Sequence, residues 1–398
     1  MIHDAMARLV EAVLKTRAKW GGKALLRERL GLGAQPLPAD IWVHGASVGE
    51  LKSARRVIEA LAEDCSLLIT SNTETARDMV AGWGLNARIA PLDLPKALEG
   101  FLDAVQPRLQ VTVEGEYWPL RSRELARRAI PQAMIGARMS RKSAANWARL
   151  PRIIRPMLQR IAALSAQDSA SEKRLLSLGL PPSAALPRLD LKLLGPSEIT
   201  PPPDGPARDV TVLAASTHEG EEATILDTFL AAQATYPLMR LILAIRHPDR
   251  GDEVAAIIAK RGVPVLRRSR GDDLTGPILL ADTLGEMDRW YAEAGICIVG
   301  GSLTDRGGHT PWEPAAYRCA LLHGPHVSTY TDSYAALIDA GAARQIDADT
   351  LAGTLSELVG APQIARDMGK AARQVLDSRA GDPAALVAQL RGLARGNA

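Results

Sequence analysis

Short apolar runs alternate with helix-compatible segments along almost the whole chain, and no other feature limits its fold as strongly. In the first half "IWVH", "SLLIT", "RLQVTV" and "PQAMIG" precede helical patterns over 50–62, 73–82, 119–129 and 141–159. Strands separated by helices pair in parallel, with helices covering both faces of the sheet. The stretch "LLGPSEITPPPDGPARD" interrupts the alternation, because its Pro and Gly residues oppose regular elements. "DVTVLAA", "RLILAI", "VPVLRR", "PILLAD", "GICIVGG" and "ALLHGP" then resume it. A 398-residue chain with two such series is expected to form two doubly wound α/β domains, 1–190 and 209–398, joined by a linker over 191–208. Ligands of open α/β sheets bind outside the carboxyl ends of the strands. The loops after the strands are therefore expected to carry function, around a cleft that the two domains face.

The first of these loops supports two chemistries. Gly45-Ala46-Ser47-Val48-Gly49 fits the G-x-S-x-G elbow of serine hydrolases, placed between an apolar strand and a helix. The next residue, Glu50, is a carboxylate at the start of that helix. A hydrolase elbow follows several strands of its sheet, whereas only about 40 residues precede this one. Asp282 and His309 give the chain order of a triad but fall in the other expected domain. Glu50 is thus read as the reacting group and Ser47 as a hydroxyl or turn residue beside an acceptor, with a serine hydrolase as the alternative.

Composition narrows the class. With 46% hydrophobic and 23% charged residues the chain is neither disordered nor fibrous. Cys65, Cys297 and Cys319 lack metal-ligand spacing and follow no secretory signal, which fits a reducing cytoplasm. No run of about 18 apolar residues exists to span a bilayer. Zinc patterns, Walker loops, dinucleotide fingerprints and short-period repeats are all missing. Net charge is only +3, yet Arg121 to Arg160 holds eleven Lys or Arg residues against the single acid Glu124. Such a block either solubilises a face or meets an anionic partner, among phosphate, acidic lipid and nucleic acid. In "MARLVEAVLKTRAKW", Met6, Leu9, Val10, Val13 and Leu14 fall at helical spacing among basic residues. That helix either lies in a membrane interface or packs on its own domain.

In the second half, "TVLAASTHEGEE" turns from strand to helix at Ser216-Thr217-His218. Ser216 with Glu219 fits a capping box, or the loop's hydroxyls and N–H groups receive a phosphate. "AIRHPDR" brings Arg246 and His247 to the same sheet edge, and an Arg fork suits phosphate oxygens. "LLADTLGEMDRWY" offers Gly285 near a helix start, where glycine permits close backbone approach. "IVGGSLTDRGGHTPWEPAA" is the densest signal: Gly301 and Ser302 follow a buried strand, and Thr310 with Glu313 fits another capping box. Glu313 could equally accept hydrogen bonds from the hydroxyls of a ribose.

In this order, "HGASVGE", "EGEYWP", "GARMSRKS", "AASTHEGEE", "RHPDR", "DTLGEM" and "VGGSLTDRGGHTPWEP" closely resemble the 3-deoxy-D-manno-octulosonic acid (Kdo) transferases of lipopolysaccharide synthesis, over about residues 25–345. The resemblance implies a GT-B glycosyltransferase of two Rossmann-like domains. A CMP-Kdo donor would bind in the C-terminal domain and a lipid A precursor on the N-terminal one. It also implies inversion at the sugar with no cofactor and no required metal. By position, Glu50 matches the family's base, and Glu114 and Glu116 its second acidic motif. Ser47, Gly49 and Arg138 match acceptor-side positions; Ser216, Thr217, Arg246, His247, Gly285, Gly301, Ser302 and Glu313 match positions near the nucleotide. The chain departs from the family at Gly115, Tyr117 and Leu120, at Thr310 and Trp312, and in Leu189-Asp190-Leu191-Lys192. With such an acceptor the basic block would meet a phosphorylated lipid, and nucleic acid drops out as a partner. The expected location is peripheral, on the cytoplasmic face of a bacterial inner membrane.

Overall fold

The structure, a computed structural model, describes residues 2–19 and 24–396. It divides into two compact units, one of Met1–Gly195 with Ala380–Ala398 and one of Pro196–Arg379. Each unit contains one wholly parallel sheet.

In the first unit the strands are β1 (Ile41–His44), β2 (Leu67–Ser71), β3 (Asn86–Ile89), β4 (Leu109–Val113), β5 (Gln132–Ala137) and β6 (Ile161–Ala166). Their spatial order is β3-β2-β1-β4-β5-β6, so the winding direction reverses between β1 and β4. One face buries Ile41, Val43, Ile69, Val111 and Val113 against Leu51, Val57, Ile58 and Leu61 of the helix Val48–Ala62. The opposite face seats Trp42 and Leu68 against Phe101, Leu102 and Val105 of the helix Pro95–Val105. Each such aliphatic side chain contributes about 1.5–3 kcal/mol when fully buried.

The second unit holds β7 (Thr211–Thr217), β8 (Arg240–Ile245), β9 (Leu266–Arg267), β10 (Ile278–Ala281), β11 (Ile296–Val299), β12 (Ala320–His323) and β13 (Ala343–Gln345). Their order is β13-β12-β11-β7-β8-β10-β9, and the reversal falls between β7 and β11. Its core joins Val212, Leu241, Leu243, Ile278 and Ile298 to Ile225, Phe229 and Leu355 from the flanking helices.

Three strands escaped the sequence reading. The run "NARI" of β3 alternates half-buried and buried residues at a sheet edge, "IAALSA" of β6 is poor in β-branched residues, and β13 has three residues. The expected helix over 141–159 is two, Arg141–Ala148 and Pro151–Gln159, with Pro151 starting the second. The expected linker is also partly regular, holding helices at Leu191–Glu198 and Pro206–Asp209. The chain further returns to the first unit after residue 379. The helix Ala384–Arg395 buries Leu386, Val387, Leu390 and Leu393 in that unit's core, and Arg391 pairs with Asp64 at 3.1 Å.

The basic amphipathic helix spans Ile2–Lys19. Trp20 and the side chain of Met6 lie outside the described residues. Ala7, Leu14 and Ala18 pack with Leu30, Leu94 and Ala97, while Leu9, Val10 and Val13 are 66%, 45% and 60% exposed. Glu11 accepts the Lys96 N–H at 2.9 Å and fastens the inner face to the helix Pro95–Val105. No helix among the described residues is long and apolar enough to cross a membrane.

Candidate active site

Because β1 and β4 flank the reversal of the first sheet, the loops that follow them open at its topological switch point. The β1 loop resolves the G-x-S-x-G ambiguity. Ser47 is the N-cap of the helix Val48–Ala62, its Oγ accepting the Glu50 N–H at 3.4 Å, while Glu50 Oε2 accepts the Ala46 N–H at 2.7 Å. This is an N-capping arrangement rather than a nucleophile elbow. Among the described residues Ser47 has no histidine partner, Asp282 is engaged by Arg267 and Ser269, and His309 by His218. The hydrolase alternative therefore lacks its relay. A Cβ at the exposed Gly49 would meet only Ser47 Oγ, at 4.0 Å, so the fold leaves open space beside the first turn.

The β4 loop carries the other two acids. Glu114 adopts φ 59°, a left-handed conformation that non-glycine residues hold only where neighbours enforce it. Here its N–H donates to Ile135 O at 2.9 Å, and its carbonyl accepts the Arg138 N–H at 3.3 Å. A Cβ on Gly115 would lie 2.8 Å from Arg138 O, which accounts for the small residue between the acids. The carboxylate of Glu114 pairs with Lys192 at 3.3 Å. Arg138 itself is exposed and has no carboxylate partner among the described residues.

Glu116 is the most elaborately held of the three. Its Oε2 accepts from His44 Nε2 at 2.5 Å and Trp118 Nε1 at 2.8 Å, and its Oε1 from Asn72 Nδ2 at 3.0 Å. Burial alone would push its pKa up, but the His44 hydrogen bond, the Trp118 N–H and the Arg121 charge outweigh it and hold the carboxyl down to about 2. Glu50 moves the other way: burial raises its pKa, with the charges of Glu114 and Glu116 adding to the effect. Two carboxylates in one site thus have proton affinities displaced in opposite directions, the pattern that separates a proton-transfer group from a fixed charge.

In the second unit the loops after β7, β8 and β11 bring together His218, His247 and His309 with Arg246 and Arg306. His218 Nε2 lies 3.0 Å from His309 Nε2, and the His218 and His247 rings are 5.6 Å apart. Burial lowers the pKa of His218 and of His309. Arg246 and His247 are exposed, and Arg246 has no carboxylate partner among the described residues. Gly285 has φ +85° with open space around it, and the exposed Glu313 lies 3.5 Å from Tyr291 OH.

Several residues expected near the nucleotide are instead held by the fold. The N–H groups of Gly301 and Ser302 are not available to a phosphate: the fully buried Glu221 carboxylate accepts them, together with those of Leu303 and His218, at 2.8–3.0 Å. Ser302 is buried too, its hydroxyl bonded to Val299 O and the Gly324 N–H. Thr217 is buried against Glu222 at 3.3 Å. Neither proposed capping box forms, since Ser216 belongs to β7 with φ 58° and the next helix begins only at Glu222, while the helix at Trp312 has Pro311 at its N-cap. Among the described residues no group of three His, Cys, Asp or Glu is placed to hold a metal ion.

The sequence reading gave no site role to His44, Asn72, Lys192 or Glu221. For His44 a signal existed, a polar residue ending the otherwise apolar run "IWVH".

Comparison with known proteins places this geometry. A UDP-GlcNAc 2-epimerase from Neisseria meningitidis superposes with a TM-score of 0.58 at 12% identity, covering 88% of this chain and 99% of that one. The glycotransferase of kitacinnamycin gives 0.54 at 13%, covering 90% and 100%. At such identities they speak to the fold alone. Residues 24–194 match the family described as 3-deoxy-D-manno-octulosonic-acid transferase (kdotransferase). The 3-deoxy-D-manno-octulosonic acid transferase of Haemophilus influenzae is 31% identical over 371 residues, 88% of this chain and 87% of its own. That of Bordetella pertussis is 33% identical over 371 residues, 87% and 85%. Fold and sequence together define a glycosyltransferase of the GT-B type. Within that class, the chain belongs to the Kdo transferase family.

Proposed function

We propose that the protein transfers Kdo from CMP-Kdo to a phosphorylated lipid A precursor, with inversion at the sugar and with Glu50 as general base. The observation that carries this reading is the placement of Glu50, half-buried in the first turn of the helix Val48–Ala62 beside the open space at Gly49. A hydroxyl attacking the anomeric carbon must shed a proton, and a carboxylate with a raised pKa, at the start of a helix and next to open space, is suited to take it. Among the described residues Glu50 Oε1 has only a 3.4 Å contact with Ser47 Oγ, leaving a lone pair for that proton. In one displacement the acceptor oxygen bonds to the anomeric carbon and the bond to the phosphate oxygen breaks. CMP leaves with the electron pair, and the proton moves to Glu50. The leaving phosphate needs charge stabilisation and no protonation, which Arg246 and Arg306 supply. Glu313 is assigned to the ribose. No cofactor or metal has a role in this scheme.

The acceptor side is read as basic and peripheral to a membrane. Arg141, Lys142, Arg149, Arg152 and Arg155 are exposed, without carboxylate partners among the described residues, and Leu150 is exposed among them. With the apolar face of the helix Ile2–Lys19, this suits an anionic lipid surface. The test is incubation with CMP-Kdo and a tetra-acylated lipid A precursor. CMP release with a lipid product heavier by whole Kdo residues, inverted at the anomeric centre, supports the reading. CMP binding without product refutes it.

A further inference from the structure

Trp42 and His44 are two residues apart on β1, so their side chains leave the same face of the sheet. The parallel register sets Thr70 of β2 opposite His44 on that face, and all three are buried. Their hydrogen bonds form a directed chain. The Trp42 indole can only donate, and its Nε1–H goes to Thr70 Oγ1 at 2.8 Å. Thr70 Oγ1 lies 2.9 Å from His44 Nδ1 but 3.5 Å from Val43 O, so its own proton goes to the imidazole. With Nδ1 an acceptor, the ring proton is on Nε2 and is donated to Glu116 Oε2 at 2.5 Å. The opposite tautomer would press a nitrogen lone pair against a carboxylate that already accepts from Trp118 and Asn72.

Burial and the Arg121 guanidinium, which lies over the Trp42 and Trp118 rings, oppose an imidazolium and outweigh Glu116 and the Thr70 carbonyl, which favour it. The remaining titratable groups around the network are Arg29 and Asp93 beside His44 and Arg121, and Glu50 and Glu114 beyond Glu116. None of these supplies His44 Nδ1 with an acceptor, and the Thr70 carbonyl beside the ring already accepts the Gly45 N–H at 3.1 Å.

We propose that His44 is a positioning residue, locked by Trp42 and Thr70 as the neutral Nε2–H tautomer, which fixes Glu116 as a permanent carboxylate within electrostatic reach of Glu50. The consequence for catalysis rests on Glu50 being the base: a fixed negative charge nearby raises its appetite for the acceptor's proton. His44 acts through Glu116 and touches no reacting atom.

Imidazole nitrogen NMR on the full chain, with H44Q assigning the signal, reads the tautomer directly. We expect a protonated Nε2 and an unprotonated Nδ1, unchanged between about pH 5.5 and 8. A protonated Nδ1, or titration near 6.5, overturns the proposal. Transfer assays of two variants add a functional arm. The H44Q amide nitrogen can take the place of Nε2–H, whereas that of H44N falls nearer Nδ1. H44Q should keep transfer within about 10-fold, and H44N should lose about 10- to 100-fold more in kcat, with equal CMP affinity and thermal midpoint. Equal losses in both would overturn it. The nitrogen spectrum needs no substrate, so an active Glu50→Gln variant alongside the expected spectrum would remove the base and leave the lock.

Discussion

The Ser47 hydroxyl accepts the Glu50 N–H in the first turn of the helix Val48–Ala62, while the Glu50 carboxylate reaches back to accept the Ala46 N–H. The residue of the apparent hydrolase motif is thereby the support of its neighbour. Ser47→Ala should cost about 1 kcal/mol of stability, as N-cap losses do, and lower transfer only mildly. Chemical denaturation and a transfer assay on the same sample check this. A dead Ser47→Ala that remains folded, with wild-type protein labelled by a serine-reactive phosphonate, would restore the hydrolase.

Glu221 holds together the loops of the second unit. Four N–H groups converge on its carboxylate, and removing it leaves buried donors unpaired at about 1–3 kcal/mol each. Glu221→Ala should therefore lower the thermal midpoint sharply. Arg246→Ala and Glu313→Ala should leave the midpoint nearly unchanged and weaken CMP binding by calorimetry, through phosphate and ribose respectively. Unchanged CMP titrations in both would make them structural.

Acid should weaken the first unit in two steps. His44 is held down to about 4, whereas the unfolded chain protonates it near 6.5, so the unfolded state binds more protons between these values and stability falls as pH drops through them. Glu116, held down to about 2 from an ordinary 4.5, contributes stability above 4.5 that is lost as pH falls toward 2. Glu50 has the opposite sign, its contribution being present at low pH and lost as pH rises through its raised value. Hydrogen exchange of the β1 and β4 amides should show opening free energies that decrease from pH 7 to 4, and H44Q should flatten that decrease. A flat profile in the wild-type protein would contradict a buried neutral His44.

How far the sequence revealed this architecture depended on the kind of signal. The strands with continuous apolar runs, such as "RLILAI" and "ICIV", declared themselves, as did the Gly and acid clusters that follow them. Partners that meet only through the fold did not. Lys192 reaches Glu114, and Asn72 reaches Glu116, across 78 and 44 residues of chain. The helix Ala384–Arg395 has an ordinary amphipathic pattern that says nothing about which unit it covers. Glu221 read as one of three adjacent acids, because a buried carboxylate and a solvated one look alike in sequence until the backbone N–H groups around it are known.

Membrane attachment should depend on both charge and the exposed face of the first helix. Raising salt from about 0.1 to about 1 M shortens electrostatic screening from about 10 to about 3 Å. The protein should therefore sediment with anionic vesicles at low salt, leave them at high salt and bind neutral vesicles poorly. Leu9→Glu with Val13→Glu should lower transfer to a lipid acceptor far more than to a deacylated one. Binding that ignores salt would show that apolar insertion dominates, and equal losses on both acceptors would assign that face to the fold.

The central claim is that Glu50 takes the proton of the attacking hydroxyl, and the direct measurement is transfer by Glu50→Gln with CMP-Kdo and a lipid A precursor, alongside CMP calorimetry. The amide keeps a hydrogen-bonding oxygen for the Ala46 N–H but cannot accept the proton. Transfer should fall by at least the factor of about 10²–10⁴ that general-base catalysis contributes, with CMP affinity and thermal midpoint unchanged. A Glu50→Gln protein that transfers Kdo at the wild-type rate would contradict the account.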